Sequence, residues 1–287
     1  IPTKALLRSA DVYENIKHAA EFGLSVTGAS FDLSKIVDRS RKVAKQLSGG
    51  VGYLMKKHKI TVIDGTASLS KGTDAPLVTV TGKDGKTSTI TAKHVLVATG
   101  ARARTIPAAG LAPDGKFIWT YREALVPDTM HKRLVVIGSG AIGIEFASFF
   151  RSLGSEVTVI EALERVLPVE DAEISAFAAK AFTKRGIRLI TGGQATLKAG
   201  TNSVTATVKI GDKTEIIEAD RAIVAVGIVG NSENLGLEAL GVTVERSHIV
   251  TDGLGRTNVK GLYAIGDITG PPWLAHKASH EGVACIE

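Results

Sequence analysis

The 287-residue sequence predicts an α/β fold built on a parallel sheet. From residue 134 onward, short runs of β-branched residues alternate with longer stretches of helical apolar spacing, and such alternation implies a sheet wound by right-handed crossovers. A Gly-x-Gly-x-x-Gly run stands between the first of those strands and the helix after it. A hydrophobic content of 44% with 22% charged residues is ordinary for a globular α/β chain, and this length accommodates about two domains with a substantial core.

In chain order, residues Thr3 to Phe22 read as a helix because Leu6, Leu7, Ala10, Tyr13 and Ile16 recur at helical spacing. A second helix starts near Asp32, a suitable N-cap, and runs toward Lys59 through an interruption at Gly49-Gly50. Ile60 to Ile63 is read as a strand. Leu77 to Thr81 and Thr87 to Thr91 alternate apolar and polar residues around Lys83-Asp84-Gly85-Lys86, the signature of a hairpin. His94 to Ala98 is a buried strand, and the Pro- and Gly-containing stretch Thr105 to Pro127 is a connection between domains. The alternating block then follows: strand Leu134 to Ile137, helix Ala141 to Leu153, strand Val157 to Ile160, helix Ala172 to Lys184 and strand Ile187 to Ile190. A polar hairpin from Val204 to Glu218 and a strand from Arg221 to Val226 close it. Beyond Ile249 the chain is expected to rejoin the first domain, with a buried strand Leu262 to Ile265 and a helix from about Trp273.

The net charge of +6 is concentrated in Lys35, Arg39, Arg41, Lys42, Lys45, Lys56, Lys57 and Lys59. These share an amphipathic helix pattern with Val43, Leu47, Tyr53 and Leu54 and read as a solvated face; without an aromatic-interleaved basic groove, no nucleic-acid partner is expected. No apolar stretch reaches the ~20 residues of a membrane span, so no membrane partner is expected either. The single cysteine, Cys285, excludes a disulfide within these residues and any multi-cysteine metal site; it lies in an apolar run and reads as a structural thiol. No metal site is predicted.

The glycine run is Gly138-Ser139-Gly140-Ala141-Ile142-Gly143-Ile144-Glu145. Gly138 permits a tight turn, Gly140 lets a diphosphate approach the backbone, Gly143 allows close contact of helix and strand, and the helix N-terminus offers unpaired N–H donors. Glu161 follows Gly143 by eighteen residues, at the end of the next strand, where a carboxylate accepts a ribose 2′-hydroxyl and repels a 2′-phosphate. NAD is favoured over NADP. The competing reading makes the glycines packing residues and Glu161 a surface acid, with Arg165 four residues on complicating the preference. A Rossmann-like three-layer NAD-binding domain over residues 116–246 is the expectation.

Two further strands end alike, Val95 to Gly100 and Ile223 to Gly227, each at a glycine where a backbone can pass close to a ligand. The run Thr257 to Asp267 is more specific, because an acid held by Gly266 at the carboxyl end of a parallel strand is well placed for a ribityl hydroxyl. Together these elements resemble the flavin disulfide reductases over nearly the whole chain. Within them, Ile1-Pro2-Thr3-Lys4-Ala5-Leu6-Leu7 and Leu274-Ala275-His276-Lys277-Ala278 resemble dihydrolipoamide dehydrogenases of the class I pyridine nucleotide-disulfide oxidoreductases. The first seven residues are similar to the segment after the redox cysteine pair of that family, so the chain reads as an internal fragment.

The resemblance implies a remnant of a related FAD-binding domain over 1–115 and 247–287. It implies FAD contacts at Lys4, Thr66, Ala67, Ala98, Thr99, Gly100, Asp267, Trp273, Leu274, Ala275 and His276, and NAD contacts at Gly138 through Glu145, Glu161, Ala195 and Gly227. Lys4 and Glu145 would form a catalytic, flavin-proximal ion pair beside N5, and the helix near Trp273 would present its N-terminal dipole to the flavin N1 and O2 edge. His276 is expected to contribute its backbone N–H. The implied activity is oxidation of dihydrolipoyl groups on 2-oxoacid dehydrogenase acyltransferases, with electrons passing through a redox disulfide and FAD to NAD in a cytoplasmic homodimer. The redox-active centre and proton-relay region have no counterpart in these residues, so the fragment is expected to be inactive alone. A soluble pyridine nucleotide transhydrogenase or another flavin disulfide reductase, and a nucleotide-binding module without turnover, are the alternatives.

Overall fold

The computed structural model describes residues 1–287, which form two compact units, Ile1–Leu54 with Ala103–Gly227 and Met55–Arg102 with Ile228–Glu287. The helices are α1 (Pro2–Lys17), α2 (Leu33–Lys57), α3 (Tyr121–Ala124), α4 (Ala141–Ser152), α5 (Ala172–Lys184) and α6 (Ala275–Ile286). No helix is long and apolar enough to cross a membrane, and no cluster of three or more His, Cys, Asp or Glu is arranged to hold a metal.

The first unit is organised by a five-stranded parallel sheet in the order Ile118–Trp119, Arg221–Val224, Arg133–Ile137, Glu156–Ile160, Ile187–Ile190. The strands Arg221–Val224 and Arg133–Ile137 are apolar beyond their first residues because both faces are covered. Leu134 and Val136 point into one core with Leu6, Ala10, Phe146, Phe149 and Phe150 of α1 and α4. Val135 and Ile137 point into a second core with Leu197, Val204, Ala206 and Val208. That second layer is an antiparallel sheet of Gln194–Ala199, Val204–Ile210 and Lys213–Ala219. Each fully buried Val, Leu, Ile or Phe in these layers contributes roughly 1.5–3 kcal/mol.

In the second unit Thr66–Ser70, Leu77–Thr81 and Thr87–Ile90 form an antiparallel sheet, and Val95–Val97 pairs in parallel with Leu262–Ala264. Leu69, Val95, Val97, Leu237, Ile249, Leu262 and Ile268 make its core.

Several elements depart from expectation. Ile60 to Ile63 is not a strand: no neighbouring strand supplies ladder bonds, and Ile60, Val62 and Ile63 are exposed. Gly49-Gly50 does not interrupt α2, which is continuous from Leu33 to Lys57. The connection from Thr105 to Pro127 carries structure, with Ile118–Trp119 joining the parallel sheet as its edge and Thr120 closing a capping box with Glu123 on α3. Both hairpins gain a third strand. The last helix begins at Ala275, with Leu274 as its N-cap, two residues later than its apolar pattern suggests. Contacts group residues 1–54 with the parallel-sheet unit because α1 lies against α4.

Candidate functional site

The strand Arg133–Ile137 ends at Gly138, whose φ of +98° lies in the left-handed region. Its amide donates to Ile160 O at 2.8 Å, tying the turn to the neighbouring strand. A Cβ on Gly138 would strike the backbone of Ala225, and one on Gly143 would strike the carbonyl of Gly138. Both glycines therefore serve close packing. Gly140 differs: a Cβ there meets nothing within 4 Å, so the space beside its backbone is open. Gly140 is also the N-cap of α4 and provides no side-chain cap, which leaves the first-turn amides available to an anion.

This open ground is part of a cavity of about 720 Å³, within the range of small-molecule sites. Gly138, Gly140, Glu161, Ala195 and Gly227 line it. Ser139, Gly143 and Ile144 are buried beneath the turn instead, and Ala141, Ile142 and Glu145 do not reach its wall. Glu161 is 8% exposed. Its Oε2 accepts from Ser139 N at 2.8 Å and Ser139 Oγ at 2.7 Å, and its Oε1 accepts from Leu163 N at 3.0 Å. Glu161 is thus a buried carboxylate met by three donors, not a surface acid. Arg165 leaves the wall and donates to Pro168 O at 3.3 Å.

Sequence reasoning missed the rim formed by Leu163, Pro168 and Val169. Leu167 holds that rim in a left-handed conformation, φ +47°, and its amide donates to Ser139 O and Oγ at 3.2 and 3.3 Å. A positive φ at a non-glycine residue gives no signal in the sequence.

Lys4 Nζ donates to Glu145 Oε1, joining α1 to α4. The Lys4 side chain is 69% exposed and that of Glu145 28%, so this pair is not a buried one.

In the second unit, the parallel register Ala264↔Val97 sets Ala98 to Gly100 beside Ile265 to Asp267 at the carboxyl ends of adjacent strands. Thr99 Oγ1 donates to Asn231 O and Asn231 Nδ2 donates to Thr99 O, both at 2.9 Å, which fixes the first strand end. The second is fixed by α6. Lys277 Nζ donates to Gly266 O (3.3 Å), Thr269 Oγ1 (3.1 Å) and Gly270 O (3.2 Å) and pairs with Glu281 Oε1 at 2.8 Å, while Glu281 Oε2 accepts from Gly266 N at 2.7 Å. Asp267, between these bonds, is half-buried. Thr66 and Ala67 are exposed on the antiparallel sheet; Trp273 and Leu274, 40% and 44% exposed, precede α6, and Ala275 and His276 open it. His280 is exposed. Cys285 is half-buried, and burial, then Asp252, pushes its thiol above its ordinary pKa against the opposing pull of Arg256.

The family model described as pyridine nucleotide-disulphide oxidoreductase matches residues 1–282. Dihydrolipoyl dehydrogenase of Rhizobium etli is 52% identical over 305 residues, taking in 100% of this chain and 62% of that protein. Dihydrolipoyl dehydrogenase of Zymomonas mobilis is 49% identical over 289 residues, again with 100% of this chain and 61% of the relative. The chain therefore spans about three fifths of the length of these curated relatives. The crystal structure of LpdA from Mycobacterium tuberculosis is similar with a TM-score of 0.91 at 31% identity, covering 100% of this chain and 61% of that one. With a family match along nearly all of its residues, the chain belongs to the pyridine nucleotide-disulphide oxidoreductase family.

Proposed function

We propose that these residues are the nucleotide-binding part of an NAD-linked dihydrolipoyl dehydrogenase, with 116–246 as the NAD-binding domain and 1–115 with 247–287 as part of the FAD-binding domain. The single observation that carries this reading is the cavity over Gly138 and Gly140, which ends on the buried acid Glu161. The first-turn amides of α4 bind the diphosphate, Gly140 gives it backbone access, and Glu161 accepts a hydroxyl of the adenosine ribose. Ala195 and Gly227 line the same cavity.

The residues of the second unit fit a flavin in their donor chemistry. Asp267 is an acceptor at a strand end for a ribityl hydroxyl, Ala98 to Gly100 offer backbone at the adjacent end, and the N-terminus of α6 provides partial positive charge. Thr66, Ala67 and the Trp273 to His276 turn complete that contact set. FAD, when bound, supplies two-electron transfer between a redox disulfide and NAD. Disulfide exchange requires two thiols and a base, and these residues hold only Cys285. They bind nucleotide without lipoamide turnover, whereas the whole protein oxidises lipoyl domains of 2-oxoacid dehydrogenase acyltransferases as a cytoplasmic homodimer.

Calorimetric titration with NADH and NADPH tests the reading. NADH is expected to bind, with NADPH weaker by about ten-fold or more, and Glu161→Gln is expected to lower NADH affinity by about ten-fold, the worth of a hydrogen bond to a charged acceptor. A wild-type chain that leaves NADH unbound, or that turns over lipoamide unaided, would overturn it.

A further inference from the structure

We propose that Asn231 is a positioning residue for the flavin nucleotide: it occupies both carbonyls of the Thr99–Gly100 turn, so that the turn offers only N–H donors, and these receive the phosphate next to the ribityl chain. This rests on reading the second unit as part of an FAD-binding domain and deepens it. The Asn231 amide donates to Gly100 O and its Nδ2 to Thr99 O, both at 2.9 Å, while its own carbonyl accepts from Thr99 Oγ1 at 2.9 Å. The amides of Ala98, Thr99 and Gly100 meet no acceptor in the chain. Gly100 has a φ of +69°, and a Cβ built on it meets nothing within 4 Å, so the space beside its backbone is open. Successive free amides around a left-handed residue form the kind of concavity that binds anions.

Arg102 decides which end of the Asn231 side chain faces the turn. Its guanidinium donates from Nη1 to Asn231 Oδ1 at 3.2 Å and to Gly230 O at 3.3 Å, and its fork is held by both oxygens of Glu233, at 2.9 and 2.6 Å. A guanidinium has no acceptor and a backbone carbonyl has no donor. The asparagine oxygen therefore meets Arg102 and its nitrogen meets Thr99 O, since the flipped amide would set donor against donor and oxygen against oxygen. Without Nδ2, the Thr99 carbonyl is free to turn its negative end toward a bound phosphate. A carboxylate in place of the amide keeps the partner of Arg102 but presses charge on that carbonyl.

FAD, FMN and riboflavin, titrated into the full chain and followed by flavin fluorescence, test this, because riboflavin keeps the ring and the ribityl chain and lacks phosphate. In the wild type FMN is expected to bind about ten-fold more tightly than riboflavin, the worth of a charge-assisted hydrogen bond. Asn231→Ala is expected to lower the affinity for FMN and FAD by about ten-fold and to leave riboflavin within about two-fold, and Asn231→Asp to lose at least as much despite its equal volume. A merely structural role would weaken all three flavins alike. Equal FMN and riboflavin affinities in the wild type, measurable without any variant, overturn the proposal. So does a uniform loss, or none, in a folded Asn231→Ala chain, or wild-type FAD affinity in Asn231→Asp. Failure of the wild type to bind FAD overturns the flavin reading along with it, whereas equal FMN and riboflavin affinities with FAD bound leave that reading standing.

Discussion

Two glycines of one turn are expected to fail in opposite ways when each receives a methyl group. At Gly143 a built Cβ lies 3.1 Å from the carbonyl carbon of Gly138 and 3.3 Å from Ala225 Cβ, with the Gly138 oxygen closer still. The obstacle is backbone at the end of a buried strand, so no rotamer change relieves it. Restoring contacts near ~3.5 Å moves α4 off the sheet by roughly 1 Å. Overpacking costs about 1–3 kcal/mol, and a backbone obstacle belongs at the upper end. Alanine returns about 1 kcal/mol of helix propensity relative to glycine. Gly143→Ala should therefore destabilise by about 2 kcal/mol, which lowers Tm by about 4–8 °C in a domain of this size.

At Gly140 the built Cβ touches nothing and φ is −65°, ordinary for any residue. Gly140→Ala should stay within about 0.5 kcal/mol of wild-type stability yet bind NADH about ten-fold more weakly or worse, since the methyl group occupies the diphosphate's path to the backbone. Circular dichroism melts and NADH calorimetry on both variants separate the two effects. Wild-type melting of Gly143→Ala would refute the close seat of α4. Wild-type NADH affinity in Gly140→Ala would refute the placement of the diphosphate.

Asp114 Oδ1 accepts from the amides of Lys116, Phe117 and Ile118, each at 2.8 Å; burial raises this carboxyl's pKa, but the backbone bonds outweigh it and hold it below its ordinary value. Asp114→Ala should cost about 1–3 kcal/mol at neutral pH in urea denaturation, and a loss under about 0.3 kcal/mol would show that the three amides find other partners. The His131 side chain is 10% exposed, and burial, followed by Arg221, depresses its pKa against the opposing pull of Asp128 and Asp220. The unfolded chain then binds the extra proton, so this group's stabilisation is complete above the ordinary imidazole value of about 6.5 and is lost as pH falls toward the folded value. His131→Phe should flatten that part of a stability profile, and an unchanged slope between pH 5 and pH 7 would count against it. Lys4→Ala removes an exposed pair and should change stability by less than about 1 kcal/mol; a larger loss on melting would show that the pair bears structural weight.

Elements whose apolar pattern is enforced on both sides were legible in the sequence. The strand Arg133–Ile137, helix α4 and strand Glu156–Ile160 agree with expectation because Leu134 to Ile137, Val157, Val159 and Ile160 each enter a core, as do Phe146, Phe149 and Phe150 of α4. Ile60 to Ile63 has the same composition, but a strand is a paired object and no local signal reports a missing partner. Thr66–Ser70 and Gln194–Ala199 were overlooked for the reverse reason: their polar residues make weak patterns, and antiparallel neighbours supply the order. At the site, the glycines and Glu161 could be read from spacing, since a turn and a strand end have fixed positions. The bonds from Ser139 to Glu161 could not, because a contact between residues twenty-two apart depends on which side chains the turn buries.

The Lys277 ammonium and the Glu281 carboxylate, paired with each other along α6, stitch the Gly266–Gly270 turn to that helix through four bonds. A turn tied so closely to a helix has no private fluctuation: to release Asp267 the protein must also peel back α6. Amide hydrogens in the two segments should then exchange with solvent through one shared opening, and a loosened helix would be felt first as a wandering acid at the strand end.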